Sequence, residues 1–319
     1  MAQPLCPVNL SIQSGINNIQ KEDKSMSNAE RTHADYDKPW CWQYDIRLKN
    51  LESDKFWSML SDSEIAGLKP TDFDMYHSDS EKEHKEMTEF IKKHEWLGNI
   101  SQFPTDWFAC RYKGILAGVI IMNQPNSFSK LLGEDTPKLE RLISRGACIS
   151  WSPKCLASHF LMFCIKWMVR NTPYRLFTAY SDVEAKEMGT VYQSCNFWYL
   201  GRNSGGNRRY VNPYNGKMMS DRAFRSRSFY KRYAKDLGIE WQRNWNNDQS
   251  VLWENIPDDI ERKLRDYSKK MQSEAPYIEI PSKHKYAYVL GTDKRETKAL
   301  RKRFLEMNRI YSYPKVRGE

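Results

Sequence analysis

Between Trp107 and Leu200 the spacing of apolar residues changes period several times, and this limits the folds open to the chain. Two apolar runs, Trp107 to Tyr112 and Ile115 to Met122, flank the two-residue turn Lys113-Gly114, the pattern of a β-hairpin. After a looser stretch with Pro125, Gly133 and Pro137, Leu139 to Ile149 reads as another strand. Ser152-Pro153-Lys154 then has the form of a helix start, a hydroxyl residue to cap free amides with proline tolerated at the first position. Leu156, Phe160, Phe163, Cys164 and Trp167 recur at helical spacing to about Asn171, where Thr172-Pro173 stops the helix. Arg175 to Tyr180 reads as a strand, Val183 to Gln193 as a helix, and Phe197 to Leu200 as a strand ending at Gly201. Upstream, the pattern predicts a short strand near Tyr44 to Leu48, a helix around Ser53 to Met59, and a charged helix from Ser80 to His94 with Met87, Phe90 and Ile91 on one side.

A chain of 319 residues accommodates a core domain and an accessory one. Residues 1–40 are rich in Ser, Asn, Gln, Lys and Asp without apolar periodicity and read as a mobile leader, within which Met26 is an alternative start. The longest apolar stretches, Ile115 to Met122 and Phe160 to Val169, fall short of the roughly 20 residues that span a bilayer. No basic-then-apolar signal opens the sequence, so the expectation is a cytoplasmic protein. Seven cysteines, Cys6, Cys41, Cys110, Cys148, Cys155, Cys164 and Cys195, lie far apart with no Cys-x-x-Cys pair, which speaks against zinc or a disulfide framework and for reduced, mostly buried thiols. No metal site is expected.

Charge divides the chain. Residues 1–201 hold 23 Lys+Arg and 25 Asp+Glu, whereas 202–319 hold 27 and 15, so the net +10 arises wholly in the second part. Residues 202–235 alone carry ten basic side chains against one acidic, Asp221. Such asymmetry points to a polyanionic partner, the alternative being a solvated face that keeps the protein soluble.

One segment carries a family resemblance. It is Tyr180-Ser181-Asp182, then Ala185, Gly189, Tyr192, and Asn196-Phe197 with Gly201, in which Val191 to Phe197 matches a helix ending in Tyr followed three residues later by the Gly-Phe that opens the next strand, here with Asn196 for Gly. This resembles the GNAT acyltransferase core over Glu140 to Gly201. Ile143-Ser144-Arg145-Gly146-Ala147 and Thr178-Ala179-Tyr180-Ser181-Asp182 look like the phage Mom-like branch, which acts on adenine in DNA. The resemblance implies an α+β fold: a mixed, mostly antiparallel sheet with helices on both faces, followed by a basic C-terminal extension with helices. The expected layout is a leader at 1–40, a catalytic core at 41–212 and a nucleic-acid-binding extension at 213–319.

It also implies chemistry. In this family two parallel strands, here Leu139 to Ile149 and Arg175 to Tyr180, splay apart and receive the pantetheine arm of acetyl-CoA or another acyl-CoA. The amides of the next helix then meet its pyrophosphate, with Lys154 adding charge and Ser152, Cys155 and Ser158 nearby. The usual Arg/Gln-x-x-Gly-x-Gly/Ala turn is missing, since Ser150 to Cys155 contains no glycine. Tyr192 occupies the position of the acid that protonates the leaving thiolate, a task suited to a phenol of pKa about 10; a Tyr that simply packs is the alternative. Asp182 faces the cleft to accept a proton from a weakly nucleophilic base amine, or caps a helix. Arg145, between small and apolar neighbours, requires an anionic partner, which is Asp182, a substrate phosphate or the donor, or else an ion pair within the sheet. His159 has no visible partner. His284, between Lys283 and Lys285, reads as a nucleic-acid contact.

Arg202, Arg208, Arg209, Arg222, Arg225, Arg227, Lys231 and Arg232 alternate with Tyr210, Tyr214 and Tyr230, a pattern of phosphate contacts interleaved with rings that stack on bases. Double-stranded DNA with its target base flipped out is the expected partner. Three functions follow: transfer of a small acyl-derived group to the exocyclic amine of adenine in phage DNA, acyl-CoA-dependent transfer to a protein, RNA or small-molecule amine, and non-catalytic nucleic-acid binding on the same fold. The oligomeric state is not legible.

Overall fold

The computed structural model describes residues 41–100, 104–125, 128–153, 155–202, 207–247 and 250–317. The expected leader at 1–40, with Met26 and Cys6, lies outside them. The chain divides into two units, residues 1–203 with 283–319 and residues 204–282.

The first unit runs α1 (Trp42–Ser58), α2 (Asp62–Gly67), β1 (Asp74–Ser78), α3 (Glu81–His94), β2 (Asp106–Tyr112), β3 (Ile115–Asn123), β4 (Glu140–Cys148), α4 (Leu156–Asn171), β5 (Leu176–Ser181), α5 (Thr190–Ser194) and β6 (Trp198–Arg202). The second contains β7 (Asn207–Val211), β8 (Met218–Ser220), α6 (Arg227–Asp236), α7 (Asp258–Glu274) and β9 (Tyr277–Ile280). The chain then returns to the first unit with β10 (His284–Val289) and α8 (Lys294–Met307).

Seven strands form one sheet in the order β1-β2-β3-β4-β5-β10-β6. Every pair is antiparallel except β4 and β5. The β2–β3 hairpin forms where expected because Lys113 and Gly114 both adopt left-handed backbone, which matches the twist of the flanking strands. A parallel pair needs a crossover, and α4 supplies it, ending at Asn171 with Thr172 as its C-cap ahead of Pro173. Strand β3 is buried at nearly every position, so both of its faces are covered, and α3 and α4 both lie against it. The fold is thus the mixed, mostly antiparallel α+β arrangement that the resemblance implies. Met87, Ile91, Phe108, Ile121, Trp151, Phe160, Ile165, Phe177 and Phe197 fill its core.

Three expectations are corrected. Residues 42–58 form one continuous helix, α1, where a strand and a short helix were expected. The region 183–193 is helical only over Thr190–Ser194, because Lys186 and Gly189 take left-handed φ values of 56° and 63° that a right-handed helix cannot contain. The expected border at 212 and the single extension at 213–319 do not hold. Strand β10 inserts between β5 and β6, burying Tyr286, Ala287 and Val289 completely, so the last segment completes the first sheet and 204–282 is an insertion.

That inserted unit has its own three-stranded sheet, order β8-β7-β9, and its own core of Tyr210, Phe224, Phe229, Tyr230, Tyr233, Ala234 and Leu264. Among the described residues no helix is long and apolar enough to cross a membrane. The six described cysteines are free, with Cys110, Cys164 and Cys195 buried and Cys155 exposed.

Candidate active site

Strands β4 and β5 pair only from Glu140↔Leu176 to Ile143↔Ala179. Beyond this register β4 continues to Cys148 and β5 to Ser181 without a partner for each other, so the sheet opens between them. The cause is local. The pairing of β4 with β3 jumps from Met122↔Ile143 to Ile121↔Arg145, leaving Ser144 as an extra residue. A bulge of this kind bends its strand and increases its twist, which turns β4 away from β5. The Ser144 hydroxyl stabilises it, lying 3.0 Å from the Ile121 carbonyl and 3.1 Å from the Asn123 side-chain oxygen.

Asp182 stands at the end of β5. One carboxylate oxygen accepts from the Glu184 amide at 3.0 Å, and the other is paired with Lys283 Nζ at 2.8 Å. Asp182 thus caps a turn, and its ionic partner comes from the residue before β10. The Asp182 amide donates to Glu187 Oε2 at 3.2 Å. Burial, with Glu95 and Asp182 adding negative charge, pushes the Glu187 carboxyl up to about 7, while the Asp182 amide and Lys283 pull the other way. Glu95, just past α3, is raised by burial against the opposing effect of Arg145, and it accepts from the Gly98 amide at 2.9 Å.

Tyr192 lies on α5 with its ring 5.4 Å from those of Phe197 and Tyr286. Burial, then the charges of Glu187 and Glu95, push its phenol pKa up. Gly189 makes this packing possible: a Cβ there would sit 2.5 Å from the Tyr286 ring and 3.1 Å from the Tyr192 ring. Tyr286 is fixed in turn by donating its hydroxyl proton to the Met188 carbonyl. Glu187 thus feels the charges of Glu95, Asp182 and Lys283, and Tyr192 those of Glu187 and Glu95.

Arg145 is held by uncharged oxygens. Its Nε and Nη2 donate to the Asn99 carbonyl and side-chain oxygen, each at 2.6 Å, and Nη1 donates to the Ser144 carbonyl. No carboxylate bonds to it among the described residues. Its three donors instead tie the turn after α3 to the bulge, bringing Glu95 to the site.

The turn between β4 and α4 also differs from expectation. Helix α4 starts at Leu156, with Cys155 as its N-terminal cap residue in left-handed backbone and no side-chain cap. Ser152 is buried and caps no amide among the described residues; its own amide donates to the Ile149 carbonyl at 3.0 Å. The Ser158 hydroxyl turns back to the Cys155 carbonyl at 3.0 Å. Lys154 lies outside the described residues. His159 is exposed on α4.

The expected nucleic-acid residues fall into both units. Arg202 is exposed at the end of β6, in the first. In the second, Arg208 stacks 4.2 Å over Tyr277 and pairs with Glu279, Arg225 pairs with Asp221, Arg227 donates to the Asn247 carbonyl, and Arg232 stacks on Tyr214. Arg209 is partly buried, while Arg222 and Lys231 are exposed. Tyr210 and Tyr230 are core residues at 7% and 4% exposure, which removes them as stacking platforms. His284 is also corrected, being 1% exposed with Nδ1 2.8 Å from the Tyr199 hydroxyl.

Sequence reasoning missed Glu95, Glu187 and Lys283. Glu187 lies inside the family-like segment, but its importance depends on burial that spacing does not reveal. Lys283 is 101 positions from Asp182, and only the sheet topology joins them.

No protein-family model and no curated protein matches the chain. Among solved structures, it is similar to an N-acetyltransferase from Staphylococcus aureus Mu50, with 14% identity, a TM-score of 0.30, and coverage of 43% of this chain and 88% of that one. A GNAT family acetyltransferase from Elizabethkingia anophelis with acetyl-CoA bound gives 10%, 0.29, 69% and 99% in the same order. The protein yncA from Salmonella typhimurium with its cofactor acetyl-CoA gives 14%, 0.31, 46% and 88%.

Proposed function

We propose that the first unit is an acyl-CoA-dependent N-acyltransferase whose acceptor is the exocyclic amine of adenine in DNA. The observation that carries the transferase reading is the opening of β4 from β5 beyond Ile143 and Ala179, with Glu187 bonded to the Asp182 amide at the end of β5. Unpaired strand edges there can bond an amide-containing arm, and the uncapped first turn of α4 can face a phosphate. Acyl-CoA, when bound, supplies an activated acyl thioester.

Glu187, with a pKa of about 7, is partly ionised at neutral pH and serves as the base that removes the proton from the acceptor nitrogen. Tyr192 keeps its proton throughout the working range. Because its pKa is raised, complete transfer to a thiolate whose own thiol has a pKa near 8.5 is uphill, so its contribution is a hydrogen bond to the departing sulfur. Lys283 holds Asp182 and limits the negative charge around Glu187.

The DNA acceptor is supported by the resemblance of 143–147 and 178–182 to Mom-like proteins and by the basic excess after residue 201. One observation favours a second reading. Glu95, Glu187 and Asp182 together would attract a protonated alkyl amine, so a protein or small-molecule amine competes with the neutral nucleobase.

The test is incubation of the full chain with acetyl-CoA and, in parallel, duplex DNA, a lysine-rich peptide and a polyamine. Released thiol is measured together with mass spectrometry of nucleosides and amines. An acylated deoxyadenosine is the expected product. Acylated peptide or polyamine beside unmodified DNA selects the second reading, and absence of thiol release in every arm overturns the transferase reading.

A further inference from the structure

We propose that α1 is a clamp that positions the donor-binding turn between β4 and α4, doing from outside the turn what glycine-rich backbone does within it elsewhere. The inference rests on the acyltransferase reading.

Three consecutive residues of that turn are bonded to one helix. Arg47 Nη2 donates to the Ser152 carbonyl at 2.8 Å, the Ser150 amide donates to Asp54 Oδ2 at 3.2 Å, and Trp151 Nε1 donates to Ser58 Oγ at 2.8 Å. Positions 47, 54 and 58 are separated by seven and four residues, so they share a helix face with buried Leu51. All three turn residues are nearly inaccessible, at 0–1% exposure. The Trp151 ring is further enclosed by Phe73 and Tyr112.

The clamp is braced from behind. Asp54, itself 2% exposed, accepts from His94 Nε2 at 2.9 Å and is paired with Lys93, both at the end of α3. His94 Nδ1 lies 3.1 Å from the Phe90 carbonyl, which fixes the ring within its own helix. A chain of bonds therefore runs from α3 through Asp54 to the backbone of Ser150. The same α3 end leads into Glu95 and the Asn99 turn held by Arg145.

The turn has no glycine, and the amides of Ser150 and Ser152 are already bonded inward, to Asp54 and to the Ile149 carbonyl, so what the clamp fixes is the place from which α4 starts and points its first amides at the donor. Arg47, Asp54 and Ser58 are positioning residues on this view: they act through the turn, and the chemistry at Glu187 does not involve them. Their loss should weaken donor binding much more than it slows the bound complex.

The test uses the full chain and acetyl-CoA. Equilibrium binding, KM, kcat and hydrogen exchange of residues 149–153 are measured for wild type, Arg47→Ala, Asp54→Asn, Ser58→Ala and the conservative Arg47→Lys. Expected are a rise of about tenfold in Kd and KM for Arg47→Ala and Asp54→Asn, about threefold for Ser58→Ala, faster exchange of the turn, kcat within about threefold of wild type, and partial rescue by Arg47→Lys. Ser58→Ala removes a single acceptor and keeps the test decisive should Asp54→Asn fail to fold. Wild-type binding with unchanged Kd in the folded variants overturns the clamp alone. Failure of wild type to bind acetyl-CoA overturns the acyltransferase reading and the clamp with it.

Discussion

A carboxyl group that titrates near neutrality gives the candidate site a measurable signature. Glu187 must be ionised to accept a proton, so kcat/KM for acyl transfer should rise with pH through about 7 and then level off. The sign for stability is opposite. A carboxyl whose folded pKa lies above its unfolded value of 4.5 favours folding below that value, and the contribution is lost as pH rises through about 7. Glu187→Gln should therefore abolish the rising limb, lower kcat/KM by about 10²-fold or more, and stabilise the protein at pH 8, as followed by a pH–rate profile and urea unfolding. At Gly189, substitution by Ala meets both a left-handed φ of 63° and the Tyr286 ring. The expected loss is about 2 to 4 kcal/mol in denaturant unfolding, with Tyr192 displaced and activity reduced. Tyr192 and Asp182 were legible in the sequence because they belong to a local pattern. Glu187 lies between the positions of that pattern and has no local signal, since its pKa follows from burial and from Glu95, nearly a hundred residues earlier.

At the scale of the element, the sequence revealed those pieces whose signals are local. The hairpin around Lys113-Gly114, the start of α3 at Ser80 and the stop of α4 before Pro173 each depend on a few adjacent residues, and each lies where expected. The sequence of α1 suggests a strand and a short helix because its apolar residues do not form a clean stripe: Phe56 and Trp57 are exposed at 73% and 76% while Asp54 is buried. What holds α1 is polar and tertiary. Burial alone would raise the Asp54 carboxyl, but hydrogen bonds from His94, Lys93 and Ser150 outweigh it and hold the group at about 2 against an ordinary 3.8. A depressed carboxyl pKa stabilises the fold above the unfolded value, and this stabilisation disappears as pH falls through the folded one. Between about pH 5 and pH 2, wild type should lose about 2 kcal/mol that Asp54→Asn, already deprived of it, does not lose. Guanidinium unfolding of both proteins across that range measures the difference; parallel curves would show that Asp54 does not anchor α1 ionically.

For the whole molecule, the decisive feature is that the positive excess after residue 201 belongs to two separate bodies. Residues 204–282 hold 15 Lys+Arg and 11 Asp+Glu, a net +4, whereas 283–319 hold 11 and 4, a net +7. Along the sequence the two run together as one basic extension, since composition carries no information about which strands pair. Tyr286-Ala287-Tyr288-Val289-Leu290 is a short apolar run of the kind a buried strand carries, but its partners β5 and β6 lie about a hundred residues earlier, a distance no local pattern bridges. The pairing of Arg202 with His284 places the two ends of the insertion side by side in one antiparallel ladder. A short linker can therefore replace 204–282 at little entropic cost. Truncation after residue 212 removes β10 and α8 instead, exposing β5 and β6 as edges and stripping the contacts of Phe304 with Trp198. Replacement of 204–282 by a Gly/Ser linker should give a soluble protein with a single cooperative thermal transition, whereas truncation at 212 should give an aggregating chain. If both variants fold equally well, β10 is not required for the sheet, and residues 283–319 are a tail after all.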